Sequence, residues 1–185
     1  IAAIQQAIAL KSRYNIRVIN LSLGRAVFES YQDDPLCQAV EQAWQAGIVV
    51  VVAAGNQGRN NSGGNHGYGA ISAPANDPYV ITVGAMNTSG TAARTDDIMA
   101  SYSSKGPTLY DHVVKPDLVA PGNQVRSTLA STSAALFTQY PSTQLPVSYY
   151  ASGSSGQIST SYFTLSGTSM ATPVVSGAAA LLLEK

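Results

Sequence analysis

The run Gly167-Thr168-Ser169-Met170-Ala171-Thr172-Pro173 sets one serine hydroxyl at the head of an apolar stretch, Val174 to Leu183, that reads as a buried helix. The first turn of a helix carries unpaired backbone N–H groups and the positive end of the macrodipole, so negative charge developing beside Ser169 is stabilised there. Gly167 lets a second segment approach closely. Acyl transfer also needs donors for an oxyanion, a base, and a way to hold the substrate chain. Asn56 closes Ala53-Ala54-Gly55-Asn56 where an apolar run gives way to a polar loop, and Ser22-Leu23-Gly24 closes another run. In open α/β sheets ligands gather at the carboxyl ends of strands. Backbone groups at Ser22 to Gly24 could also pair with an extended peptide. Plain packing of a small-residue turn, and a loop asparagine tolerating an unusual backbone angle, are the alternatives.

The elements that must position these residues follow from spacing. Ile1, Ile4 and Ile8 fall on one helical face, and Arg17 to Gly24 reads as a strand. Asp33-Asp34-Pro35 supplies an N-cap and a proline at the first helical position, and Leu36, Val40 and Trp44 follow at four-residue spacing before Gly47. That pattern places Trp44 in the core. Ile48 to Ala54 is an unbroken, β-branched apolar run, the pattern of a parallel strand buried on both faces. Val80 to Ala85 and Pro116 to Pro121 add two more strands, and a helix from Ser169 ends the series. Strand, helix, strand defines an α/β class with crossovers. Two long polar stretches, Gly55 to Gly69 and Ser131 to Ser161, interrupt it; residues 131–161 read as a polar surface insertion.

Composition narrows the function. Ten Lys plus Arg balance ten Asp plus Glu with no basic cluster, which argues against nucleic acid. The single Cys37 has no cysteine partner and reads as a small core residue. No apolar run reaches the roughly 20 residues that span a bilayer. Both ends look cut within helical patterns, which suggests a piece of a longer chain. Nucleotide binding by the loop after Val52 is poorly supported, because Gly55, Gly58, Gly63 and Gly64 match neither phosphate-binding spacing and no lysine follows.

Five motifs together, Asn20 to Gly24, Ala53 to Asn56, Ala100 to Ser104, Lys115 to Gly122 and Gly167 to Pro173, resemble the subtilisin-type serine peptidases in kind and in order. The resemblance runs along essentially the whole chain. It implies a three-layer α/β fold with a mostly parallel sheet, incomplete at the amino end, in a single partial catalytic domain over 1–185. It implies a serine endopeptidase with Ser169 as nucleophile, and with the Ser169 N–H and the Asn56 side-chain amide as oxyanion donors. Ser22, Leu23 and Gly24 correspond to the strand that pairs with substrate. Ala53, Ala54 and Gly55 correspond to the facing pocket wall, and Ser72 to its floor. Val174 stands where many relatives have histidine, a position that is structural in the family.

The same resemblance places the catalytic aspartate and histidine before the Asn20–Gly24 strand, in the order Asp, His, Ser, where this chain offers only its opening helix. The expectation is therefore an inactive isolated chain whose partners are a peptide or protein substrate and the missing amino-terminal part of its own domain. His66 and His112 match no family motif and read as exposed loop residues. A non-catalytic peptide-binding module using the same cleft is the alternative, and a homodimer of the fragment is a further expectation. No cofactor is required by the chemistry; calcium, common in the family, has only a faint peripheral hint at Asn76-Asp77. Family resemblance points to a secreted or extracellular location.

Overall fold

The computed structural model describes residues 1–184, which divide into two compact units, 1–123 with 167–184, and 124–166. In the first unit α1 (Ala2–Tyr14) ends at Asn15 in the left-handed conformation, and β1 (Val18–Leu21) follows. Helix α2 (Pro35–Gln45) begins as its sequence dictates: the Asp34 side chain accepts a hydrogen bond from the Leu36 N–H at 2.8 Å, with proline in the first turn. Next come β2 (Val49–Ala53), β3 (Ile81–Asn87), β4 (Ile98–Met99) and β5 (Leu118–Pro121).

Strands β1, β2, β3 and β5 lie side by side in parallel, and β4 pairs antiparallel with the end of β3. The valine run of β2 is buried on both faces because alternate side chains serve different layers. Val50 and Val52 join Ile4 of α1 and Val40 and Ala43 of α2 in one core cluster. Val51 joins Val83, Ala85, Ala120 and Ala171 in the other. Ala171 belongs to α4 (Thr168–Leu183), so helices cover both faces of a mostly parallel sheet. The expected α/β three-layer architecture is observed.

Two readings are corrected. Trp44 is not core: it is 47% exposed, its ring stacked on Tyr79 with centroids 4.7 Å apart. Four-residue spacing advances about 40° per step on a helix of 3.6 residues per turn, so by its third member the series has drifted off the face that Val40 and Ala43 bury. Nor is α4 buried along its length. Thr168, Ala171 and Thr172 are buried, whereas Leu181 and Leu182 are 69% and 73% exposed, because one face of a helix that is apolar all round meets the sheet.

The second unit is a three-stranded antiparallel sheet in the order β6 (Val125–Thr128), β8 (Ile158–Leu165), β7 (Gln144–Pro146), with a short helix α3 (Ala135–Gln139). Phe137 and Leu145 are buried in it, and the buried Ser159 hydroxyl accepts hydrogen bonds from the Tyr150 hydroxyl at 2.9 Å and the Tyr162 N–H at 2.9 Å. Residues 131–161, read from sequence as a long polar loop, fall within this folded unit. Its buried Ser159, invisible to a search for apolar periodicity, binds two of its segments together.

Candidate active site

Ser169 occupies the second position of α4, where no carbonyl lies four residues back within the helix to take its N–H. Its half-buried hydroxyl donates to the Ser22 carbonyl at 3.2 Å, while the Ser22 hydroxyl donates to the Ser169 carbonyl at 2.8 Å. The exchange is supported on both sides. Asn20 Nδ2 donates to Ser22 Oγ at 2.9 Å, and the Ser176 hydroxyl donates to Asn20 Oδ1 at 2.9 Å. The end of β1 is thereby tied to the first three turns of α4. The sequence contained the signal for this network: Ser176 lies seven residues after Ser169, on one helical face, and Asn20 lies two residues before Ser22 on one strand face.

Asn56 stands directly after the turn that leaves β2. Thr168 donates to Asn56 Oδ1 twice, from its N–H at 2.9 Å and from its hydroxyl at 3.2 Å. A backbone N–H can only donate, which fixes the oxygen of the amide toward α4 and leaves Nδ2 free to donate outward. Among the described residues Nδ2 has no acceptor. The Gly55 N–H donates to Thr168 Oγ1 at 3.2 Å, so Thr168 locks the Gly55–Asn56 turn to the start of α4. A Cβ at Gly167 would stand 3.4 Å from Asn56 Nδ2, an ordinary contact, so this approach does not itself require glycine. The Gly167 N–H donates to the Gly122 carbonyl at 2.9 Å, which also accepts from the Tyr102 hydroxyl at 2.9 Å. Burial raises the Tyr102 phenol above its ordinary pKa and keeps it a donor.

The pocket residues also converge. Ser72 donates its N–H to the Ala54 carbonyl at 3.0 Å, and Arg25 and Ala73 exchange two backbone hydrogen bonds of 3.0 Å. Ser72 therefore lies between Gly24 and Gly55. A Cβ at Gly24 would come within 2.8 Å of Ser72 Cβ, and one at Gly55 would collide with Ser72 Oγ. Gly55 also holds φ of +108°, which L side chains rarely adopt. Ala53 and Ala54 are buried, so they contribute backbone rather than side chains to the wall. Leu23 is exposed beside them. A cleft of about 530 Å³ continues past Gly24 and Ser72 to Gln57, Asn65 and Leu109. On its lining, Arg25 forms a 2.7 Å ion pair with the fully buried Asp34.

His66 and His112 are exposed on loops, each at a positive φ, and neither hydrogen-bonds Ser169. The described residues thus present a serine hydroxyl bonded to the Ser22 carbonyl, on a helix whose first turn also carries the orphan Ser169 N–H and, through Thr168, the Asn56 amide. At Asn76-Asp77 the buried Asp77 carboxyl keeps Oδ2 unpartnered and accepts from the Tyr79 N–H at 2.8 Å. The Lys115 ammonium sits nearby on the Val80 carbonyl at 2.8 Å. Calcium takes six to eight oxygens, largely carboxylate. Among the described residues no three His, Cys, Asp or Glu side chains converge there.

The model of the subtilase family, Peptidase S8, matches residues 1–185. The serine protease AprX of Bacillus subtilis is 41% identical over 172 residues, 92% of this chain and 34% of AprX. Subtilisin DY of Bacillus licheniformis is 35% identical over 184 residues, 100% of this chain and 48% of that protein. A solved structure described as an S41 psychrophilic protease superposes with a TM-score of 0.62 at 26% identity, covering 98% of this chain and 48% of that one. The chain spans about a third to a half of the length of these relatives.

Proposed function

The chain belongs to the subtilase family, and from that premise we propose that it carries the nucleophile, the oxyanion donors and much of the substrate cleft of a serine endopeptidase. One observation carries the reading: Thr168 donates to Asn56 Oδ1 and so ties the Asn56 amide, its Nδ2 unpaired, to the first turn of α4, where the Ser169 N–H also lacks a helical acceptor. An extended peptide pairs with the backbone of Ser22 to Gly24, and its side chain enters the space bounded by Gly24, Gly55 and Ser72. Ser169 Oγ leaves the Ser22 carbonyl and attacks the scissile carbonyl carbon. The hydroxyl proton passes to a base, and the carbonyl oxygen takes the negative charge between Asn56 Nδ2 and the Ser169 N–H. Collapse of the tetrahedral intermediate breaks the C–N bond, the base returns its proton to the amine, and water then opens the acyl-enzyme.

The base in this proposal is the family's histidine, oriented by its aspartate, on the amino-terminal part of the same catalytic domain. The described residues place no histidine on Ser169, so this chain alone has no appreciable endopeptidase activity, and that other part is its first partner. The exposed apolar face of α4 gives the isolated chain a surface through which it dimerises. The chemistry needs no cofactor, and the parent works outside the cell. No helix of the described residues is long and apolar enough to cross a membrane.

The test is reaction of the purified chain with a serine-directed fluorophosphonate, with and without the amino-terminal segment of a subtilase relative added in trans. Ser169 is expected to label only with the segment. Labelling without it refutes the absence of a base. No labelling when the two segments demonstrably associate favours a peptide-binding module.

A further inference from the structure

Between Gln124 and Ser166 the sequence holds one charged side chain, Arg126, among many serines, threonines and tyrosines. Arg126 lies on β6, opposite Thr164 of β8, with its guanidinium 4.4 Å from the centroid of the Tyr149 ring. Stacking on an aromatic face fixes the plane of the guanidinium and leaves its edge N–H groups pointing outward. Among the described residues no carboxylate pairs with it. The Arg126–Tyr149 pair borders a cleft of about 560 Å³, floored by Leu136, Leu145 and Pro146 and rimmed by Tyr140 and Gln144. On its other side a second hollow, of about 380 Å³, runs to Tyr150 and Tyr162. These four tyrosines are between 41% and 60% exposed.

We propose that this unit is a docking surface for a peptide segment bearing an acidic residue, whose carboxylate pairs with Arg126 while its aliphatic neighbours cover Leu136, Leu145 and Pro146. A lone cation in a unit without a single carboxylate has its full donor edge to offer, and a planar carboxylate fits that edge with two hydrogen bonds. Arginine and tyrosine are the side chains that most often anchor protein interfaces, and rigid tyrosines among small polar residues make contact area at low entropic cost. A uronate would share the carboxylate and could use Ser142, Thr143 and Gln144 of the lining, but it would leave the aliphatic side of Leu136 and Pro146 uncovered, which a peptide's aliphatic side chains fill. The proposal does not depend on the chemistry of Ser169 and adds a contact outside the cleft of Gly24, Gly55 and Ser72.

The probe is acetyl-Gly-Leu-Glu-Leu-Gly-amide, titrated into the ¹⁵N-labelled chain carrying Ser169→Ala so that turnover cannot intervene. Saturable shifts are expected at the Arg126 side-chain N–H and the Tyr149 amide. The glutamine version of the peptide should bind about ten- to a hundred-fold more weakly, the loss of a charge-assisted pair. Arg126→Met should abolish the difference between the two peptides, and Arg126→Lys should keep part of it, with unchanged spectra elsewhere reporting an intact fold. Equal affinity for the glutamine peptide, or no saturable shift at Arg126, overturns the proposal. So does sodium acetate that saturates Arg126 at the same carboxylate concentration, or a trigalacturonate that binds more tightly than the peptide.

Discussion

Gly55→Ala tests the packing of the site most directly, because one methyl group meets two independent obstacles. The first is backbone strain: φ of +108° suits glycine, and forcing an L residue into so sparsely populated a region costs about 1–3 kcal/mol. The second is space. The new Cβ would stand 2.8 Å from Ser104 Oγ and collide with Ser72 Oγ, and overpacking of this kind costs about 1–3 kcal/mol. Together the loss is about 2–6 kcal/mol, a large share of the 5–15 kcal/mol that holds a typical domain. Urea unfolding followed by far-ultraviolet circular dichroism measures it. Adding Ser72→Gly should return part of the steric share and none of the strain. A loss below about 1 kcal/mol, or full recovery in the double variant, would refute the account of Gly55 as doubly constrained.

Three further outcomes are expected. Burial, with Glu41 and Asp34 adding repulsion, pushes the Asp77 carboxyl up to about 7, against the Tyr79 N–H and Lys115, which favour the charged form. A raised carboxyl pKa means that the fold prefers the neutral acid, so stability falls as pH rises from about 4 to about 7; Asp77→Asn should flatten that slope and be the more stable chain at pH 8 in thermal melts. Asp34→Ala removes both the α2 cap and the partner of Arg25 and should cost about 2–4 kcal/mol in denaturant titrations, whereas Asp34→Asn keeps the cap and should cost about half of that. In the complemented fluorophosphonate assay Asn56→Ala should slow labelling of Ser169 at least ten-fold while leaving the melting temperature within a few degrees; an unchanged rate would remove Asn56 from the oxyanion site.

The elements around the site were legible because each has a local cause. Asp34 and Pro35 announce α2, the valines of β2 announce a doubly covered strand, and Gly55-Asn56 marks its exit. The convergence of Ser169, Asn56, Ser22 and Ser72 also followed, through the family's motifs. What sequence could not show is whatever depends on contacts distant along the chain. Thr168 reads as a residue beside the nucleophile, and only folding reveals that its two donors orient the Asn56 amide. Trp44 fails for the converse reason, since a one-dimensional spacing rule does not see the helix rotate away from its core. The interior of 124–166 stayed hidden because Ser159, not an apolar stripe, organises it.

The reciprocal bonds between Ser22 and Ser169 join residues 147 positions apart. Contacts of such separation close late, after the entropy of the intervening loop has been spent. The setting of the Ser169 hydroxyl therefore depends on closure of that loop, and not on either segment alone. On the role proposed for Ser169, the nucleophile is set only in a chain whose β1 and α4 have come together, and a chain in which they are still apart has no site to offer.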